Sequence, residues 1–135
     1  MTVQPLDRPA NGDDAVLGRA RHMITASLDP QGKRPVVRSF FDEQTSTASH
    51  VVHDPATRAA AIIDSVLDFD PASGRTSHES ADAIIAYVEA EGLSIAWLLE
   101  THAHADHLSA APYLQARLGG QLAIGREIIH VQNVF

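Results

Sequence analysis

At 135 residues, with 44% hydrophobic and 20% charged side chains, the chain has the length and ordinary balance of one globular unit plus a tail, which excludes wholesale disorder and two folded domains. Ten basic against seventeen acidic side chains leave a net charge of -7, a field that repels phosphate backbones and so argues against nucleic acid as a partner. The absence of cysteine removes disulfides, thiolate metal sites and cysteine nucleophiles together, so any metal must be held by His and carboxylate.

Residues 1–35 are rich in Pro, Gly, Asp and Arg and keep no sustained apolar period, which predicts a flexible N-terminal tail. Within it, Ala15 to Ile24 predicts only a helical turn or two, weakened by Gly18. Asp7, Asp13 and Asp14 break any secretory or transit pattern, and apolar runs such as Ile95 to Leu99 fall far short of a membrane span. A cytoplasmic protein with no membrane partner is the expectation.

The ordered domain is expected over residues 36–135. Three β-branched and apolar runs, Val36 to Phe41, Ser46 to His53 and Ala59 to Val66, are separated by turn residues and predict an antiparallel meander. The unbroken run Ala59 to Ile63 suits a strand covered on both faces. Asp68 to Thr76, with Pro71 and Gly74, reads as a surface loop. Ser77 or Ser80 then caps a helix from about Glu79 to Glu91, with Ala83, Ile84, Tyr87 and Val88 as its apolar stripe and Gly92 as its stop. A strand at Ile95 to Glu100, a helix at Leu108 to Leu118, a strand at Gln121 to Ile124 and a helical start at Glu127 to Val134 complete the order, which predicts an α+β domain with helices packed on a sheet.

Between the strand at Ile95 to Glu100 and the next helix stands THAHADH, Thr101 to His107, with three imidazoles and one carboxylate in seven residues. Three imidazoles side by side gain nothing unless something joins them, and this thiolate-free donor set suits zinc, ferrous iron or manganese. His102 and His104, one residue apart, can converge on one ion, while Asp106 and His107 point elsewhere and can serve a second; the small Ala103 and Ala105 let the backbone bend. The isolated His22, His50, His53, His78 and His130 are read as structural. Asp64 ends an apolar run, where a charge must be bonded. It reads either as a strand-end turn residue or as a support for the metal loop.

The motif HxHxDH at His102 to His107, after strands ending in Ile62-Ile63-Asp64 and at Glu100, resembles the metallo-β-lactamase superfamily. FFDEQTSTASHVVHDPATRAAAIIDS at Phe40 to Ser65 and WLLETHAHADHLSAAPYLQARLGGQLAIG at Trp97 to Gly125 resemble its persulfide dioxygenase and glyoxalase II branch. The resemblance implies an αββα sandwich, of which this chain supplies the N-terminal half with a mixed sheet and helices on one face. It implies Fe(II) or Zn(II) as cofactor. In the zinc hydrolases the positions matching His102 and His104 hold one ion and those matching Asp106 and His107 the other. In the dioxygenases a single ferrous iron takes the position matching His102, with the remaining motif residues as supports. Asp106 is the candidate catalytic carboxylate and Asp64 the supporting one. The implied substrate is a small thiol derivative, glutathione persulfide for the dioxygenase or a thioester for the hydrolase.

Both branches draw further ligands from the second half of the fold, and no histidine after the motif matches them, His130 included. Two readings follow. The first is a truncated member of this branch. The second is a non-catalytic half-domain that binds metal or forms a homodimer through its open sheet face.

Overall fold

The computed structural model describes residues 12–28 and 34–134, and the chain divides into two compact units, Met1–Arg34 and Pro35–Phe135. In the first unit α1 runs over Gly12–Leu28, seventeen residues instead of the one or two turns expected. The helix-favouring residues Ala15, Leu17, Arg19, Ala20, Arg21 and Met23 outweigh the local cost of Gly18. The remainder of the tail assigned to residues 1–35, positions 1–11 and 29–33, lies outside the described residues.

The second unit begins with the meander. β1 (Val36–Asp42), β2 (Thr47–His53) and β3 (Ala59–Ile63) pair antiparallel in sequence order. β2 alternates as a half-buried strand should, with Ser49, Val51 and His53 inward. β3 is not covered on both faces: Ala60 and Ile62 are buried, whereas Ala61 and Ile63 are only half-buried.

The run Ala59 to Val66 is not one strand. Asp64 takes the left-handed backbone (φ 51°) and breaks it, so that β4 (Val66–Asp70) starts in a new direction. β4 turns back through Pro71 and Gly74 into β5 (Arg75–Ser77), making a hairpin of the segment read as a loop. The helix that follows, α2 (Glu79–Ala90), is not capped by Ser77 or Ser80; its cap position is His78, with no side-chain bond. Instead the Asp68 carboxylate on β4 accepts from the Ser80 N–H at 3.0 Å and from its hydroxyl at 2.5 Å, supplying the missing acceptor from outside the helix. The inward stripe is Ala81, Ile84, Ile85 and Val88, the i, i+3, i+4, i+7 set; Ala83 faces solvent and Tyr87 is half-buried.

After Gly92, β6 (Ser94–Glu100) joins β3 in parallel. The histidine-rich loop Thr101–His107 follows and ends in the short β7 (Leu108–Ser109), which pairs with β4. α3 (Ala111–Leu118) therefore starts three residues later than expected, because Leu108 and Ser109 serve as strand. Gly119 and Gly120 turn the chain into β8 (Gln121–Ile124), parallel to β6, and α4 (Ile128–Gln132) follows. At Gly120 (φ 91°) a Cβ would stand 3.1 Å from Ile95 Cγ2 and from its carbonyl oxygen, so only glycine fits this crossing.

The result is a mixed five-stranded sheet, β1-β2-β3-β6-β8, and a smaller sheet, β5-β4-β7. α2 and α3 pack on one face around Val51, Ile62, Ile84, Leu98 and Leu114, all under 2% exposed. Each such side chain contributes roughly 1.5–3 kcal/mol on removal from water, an upper figure for a real unfolded chain. The other face is open, with Val37 56%, Phe41 66% and Trp97 43% exposed. No helix among the described residues is long and apolar enough to cross a membrane.

Candidate metal centre

The loop Thr101–His107 is pinned at both ends, by β6 in the main sheet and by β7 on β4. Asp64 pins its beginning. Its backbone N–H donates to the Leu99 carbonyl at 2.9 Å, and its carbonyl accepts from the Ser49 hydroxyl at 2.7 Å, so its strained backbone is held on both sides. The carboxylate then takes the Thr101 N–H on Oδ1 at 2.7 Å and the Thr101 hydroxyl on Oδ2 at 2.8 Å. Asp64 is thus both the strand-end turn residue and the support of the loop.

These partners decide which nitrogen of each imidazole keeps a lone pair. Oδ1 of Asp64 lies 2.9 Å from His104 Nε2, and a carboxylate can only accept, so the proton is on Nε2 and the lone pair on Nδ1. The Thr101 hydroxyl has given its proton to Asp64 and lies 2.8 Å from His102 Nδ1; it accepts there, leaving His102 Nε2 with the lone pair. The Thr47 hydroxyl donates to Asp106 Oδ2 at 3.1 Å and stands 3.4 Å from His107 Nδ1, where Asp106 Oδ1 is also 3.4 Å away. The Thr47 hydroxyl, its own proton given to Asp106, accepts from Nδ1, so His107 keeps its lone pair on Nε2. That nitrogen is fully buried and has no hydrogen-bond partner among the described residues.

Glu100 is the site residue that sequence reasoning missed. Its Oε1 accepts from the Ser109 hydroxyl at 2.5 Å, while Oε2 stands 3.3 Å from His104 Nε2, without hydrogen-bond geometry, and is buried with no hydrogen-bond partner among the described residues. Its i, i+4 spacing to His104 and its place at the end of an apolar strand were the available signals. Thr47 was missed as well, and a single threonine 59 residues before its partner carries no local signal at all.

The carboxylates are tuned to stay ionised. Burial works to raise the Asp64 carboxyl, but the bonds from Thr101 and His104 outweigh it and hold it below the ordinary value. The Asp106 carboxyl is lowered by its own backbone N–H first, with Thr47 and His107 adding and burial opposing.

Two groups of ligand atoms, each within 4.8 Å of one another, meet at His104: His104, Asp106 and His107 on one side, Asp64, Glu100 and His104 on the other. His102 stands outside both, exposed, although its ring centroid is 4.2 Å from that of His104. The pairing expected from spacing, His102 with His104, is therefore less tight than that of His104 with Asp106 and His107. A cation fits this donor set. A buried nitrogen without a hydrogen-bond partner among the described residues, His107 Nε2, sits on a residue of the His104, Asp106 and His107 group, whereas His104 Nε2, which faces Asp64 and Glu100, already carries the proton. Imidazole and carboxylate without thiolate suit Fe(II) or Zn(II).

The comparisons agree with that geometry. Residues 42–133 match the Metallo-beta-lactamase superfamily. The chain belongs to this superfamily. Among its metallo-β-lactamase relatives, a probable metallo-hydrolase of Burkholderia pseudomallei is 58% identical over 99 residues, 73% of this chain and 34% of that protein. The glyoxylase B2 of Dictyostelium discoideum is 40% identical over 100 residues, 73% of this chain and 34% of its own length. The mitochondrial persulfide dioxygenase ETHE1 of Mus musculus is 30% identical over 105 residues, 78% of this chain and 35% of its own. The chain thus spans about a third of the length of these metallo-β-lactamase relatives.

Proposed function

We infer that the chain carries the metal-binding part of a persulfide dioxygenase, with ferrous iron held at His102 and glutathione persulfide as substrate. The observation that supports this reading is the separation of His102 from the rest of the motif. Its Nδ1–H is committed to Thr101 and the residue is exposed, while the His104 side chain is mostly buried against Asp64 and Glu100. One ion taking His102 alone leaves the other motif residues to orient the loop. The bound iron supplies the site where dioxygen oxidises the persulfide sulfur. Around it, Asp64 and Thr101 fix the direction of His102, and Thr47 holds Asp106. The Asp106 carboxylate, half exposed and kept ionised, is the group available to accept a substrate proton.

A specific observation favours a second reading, a zinc thioester hydrolase. His104, Asp106 and His107 form one ligand group, as a second ion would require, and His107 Nε2 is buried without a hydrogen-bond partner among the described residues. Elemental analysis across the size-exclusion peak of the purified chain, with oxygen uptake on glutathione persulfide, separates the two. Stoichiometric iron that disappears in His102→Ala, together with oxygen uptake, supports the dioxygenase. Zinc with thioester cleavage under nitrogen moves the chain to the hydrolase reading, and metal content unchanged in His102→Ala sinks the role given to that residue.

A further inference from the structure

Beside the metal loop lies a cleft of about 560 Å3, a size typical of small-molecule sites. Val66, Leu67 and Leu108 give it apolar surface, the β4–β5 hairpin at Phe69 and Pro71 forms one wall, and the turn between β1 and β2 forms the other. The Gln44 side chain in that turn donates to the Phe69 carbonyl at 2.6 Å, so the two walls are joined before any ligand arrives. The metal loop contributes His107, its side chain wholly buried, whose Nε2 lacks a hydrogen-bond partner among the described residues.

The charge of the cleft is one-sided. Asp42, Asp68 and Asp106 line it, and among the described residues no Lys or Arg does. Asp68 is spent on Ser80 at the start of α2. Asp106 accepts from Thr47 and groups with His104 and His107, where a bound ion would offset its charge. Asp42 has neither outlet. Both its bonds, from the Thr45 N–H at 2.8 Å and the Thr45 hydroxyl at 2.6 Å, fall on Oδ2, and Oδ1 is left without a hydrogen bond among the described residues.

We propose that this cleft binds the non-reacting end of the thiol-derived substrate, and that Asp42 makes it select an ammonium-bearing end over a carboxylate-bearing one. The proposal rests on the metal centre argued above, whose His104, Asp106 and His107 line the cleft. A glutathione derivative carries one ammonium group and two carboxylates; the cleft takes the ammonium and directs the carboxylates away from this half of the site. An exposed charge pair of this kind changes affinity by about twofold to fivefold.

The test titrates cysteamine, 2-mercaptoethanol and 3-mercaptopropionate, thiols with a cationic, neutral and anionic end, into the purified chain. Backbone amide NMR shifts at Thr45, Phe69 and Leu108 report binding, and metal content is measured on the same samples with and without chelator treatment. Cysteamine is expected to bind tightest and the acid weakest, with shifts confined to the cleft. Asp42→Asn should level the series without changing metal content, while Glu43→Gln, outside the cleft, should preserve the order. Equal affinities, an acid that binds tightest, or shifts elsewhere overturn the proposal. If the charge order holds in a chain that takes up no metal, the metal centre fails and the cleft stands; if metal is bound and no charge order appears, the cleft fails and the centre stands.

Discussion

Thr47 shows how much of this site hangs on one hydroxyl. It donates to Asp106 and accepts from His107, and so fixes both the carboxylate's position and the tautomer that leaves Nε2 of His107 open. Thr47→Val keeps the branched shape that suits β2 and removes only the oxygen. Loss of such an outer partner lowers metal affinity by about 10- to 100-fold. Competition for Zn(II) against a chromophoric chelator is expected to show that drop, with Thr47→Ser restoring most of it; equal affinities for Val and Thr would mean the hydroxyl orients nothing. The histidine cluster was legible in sequence because density alone marks it, and Asp64 because a charge closing an apolar run needs a partner. The turn at Asp64 was legible but its left-handed backbone was not, and Thr47 was not legible, since its partner Asp106 lies 59 residues along the chain.

At the level of elements, β-branched and apolar runs bounded by turn residues revealed β1 and β2, and a short apolar run revealed β6. The β4–β5 hairpin stayed hidden because its strands are short and polar and pair mainly with each other. α2 was found, but its cap was not, since the capping Asp68 lies on a different element. α2 and α3 are joined at their outer edge through Tyr113, whose hydroxyl donates to Asp82 at 2.7 Å and whose ring stacks on His78 at 3.9 Å. Donation to Asp82 pushes the phenol above its ordinary 10.0. A group raised on folding contributes stability in full below its unfolded value and loses it as pH rises through its folded value. Tyr113→Phe is therefore expected to lower Tm at pH 8, and the gap to the parent chain should narrow above pH 10. A gap that stays constant across that window would show that the hydroxyl contributes nothing.

For the molecule as a whole, the question is the open face of the five-stranded sheet. Val37, Phe41 and Trp97 leave it apolar, and Trp97 sits on β6, an interior strand where a monomeric domain normally buries such a side chain. The half-sandwich implied by the sequence accounts for this, because a second sheet covers the same face in an αββα arrangement. In solutions of this chain alone, a second copy is the most available cover, which makes self-association the expected behaviour. Sedimentation equilibrium should then give a mass that rises above 14.5 kDa with concentration. Trp97→Lys places a charge at the centre of the face at little cost to the fold, since the Trp97 side chain is only partly buried, and should return the mass to that of the monomer. A parent chain that stays monomeric at every concentration would remove the homodimer reading, and it would show that the helices on the covered face hold this sheet without help from a partner.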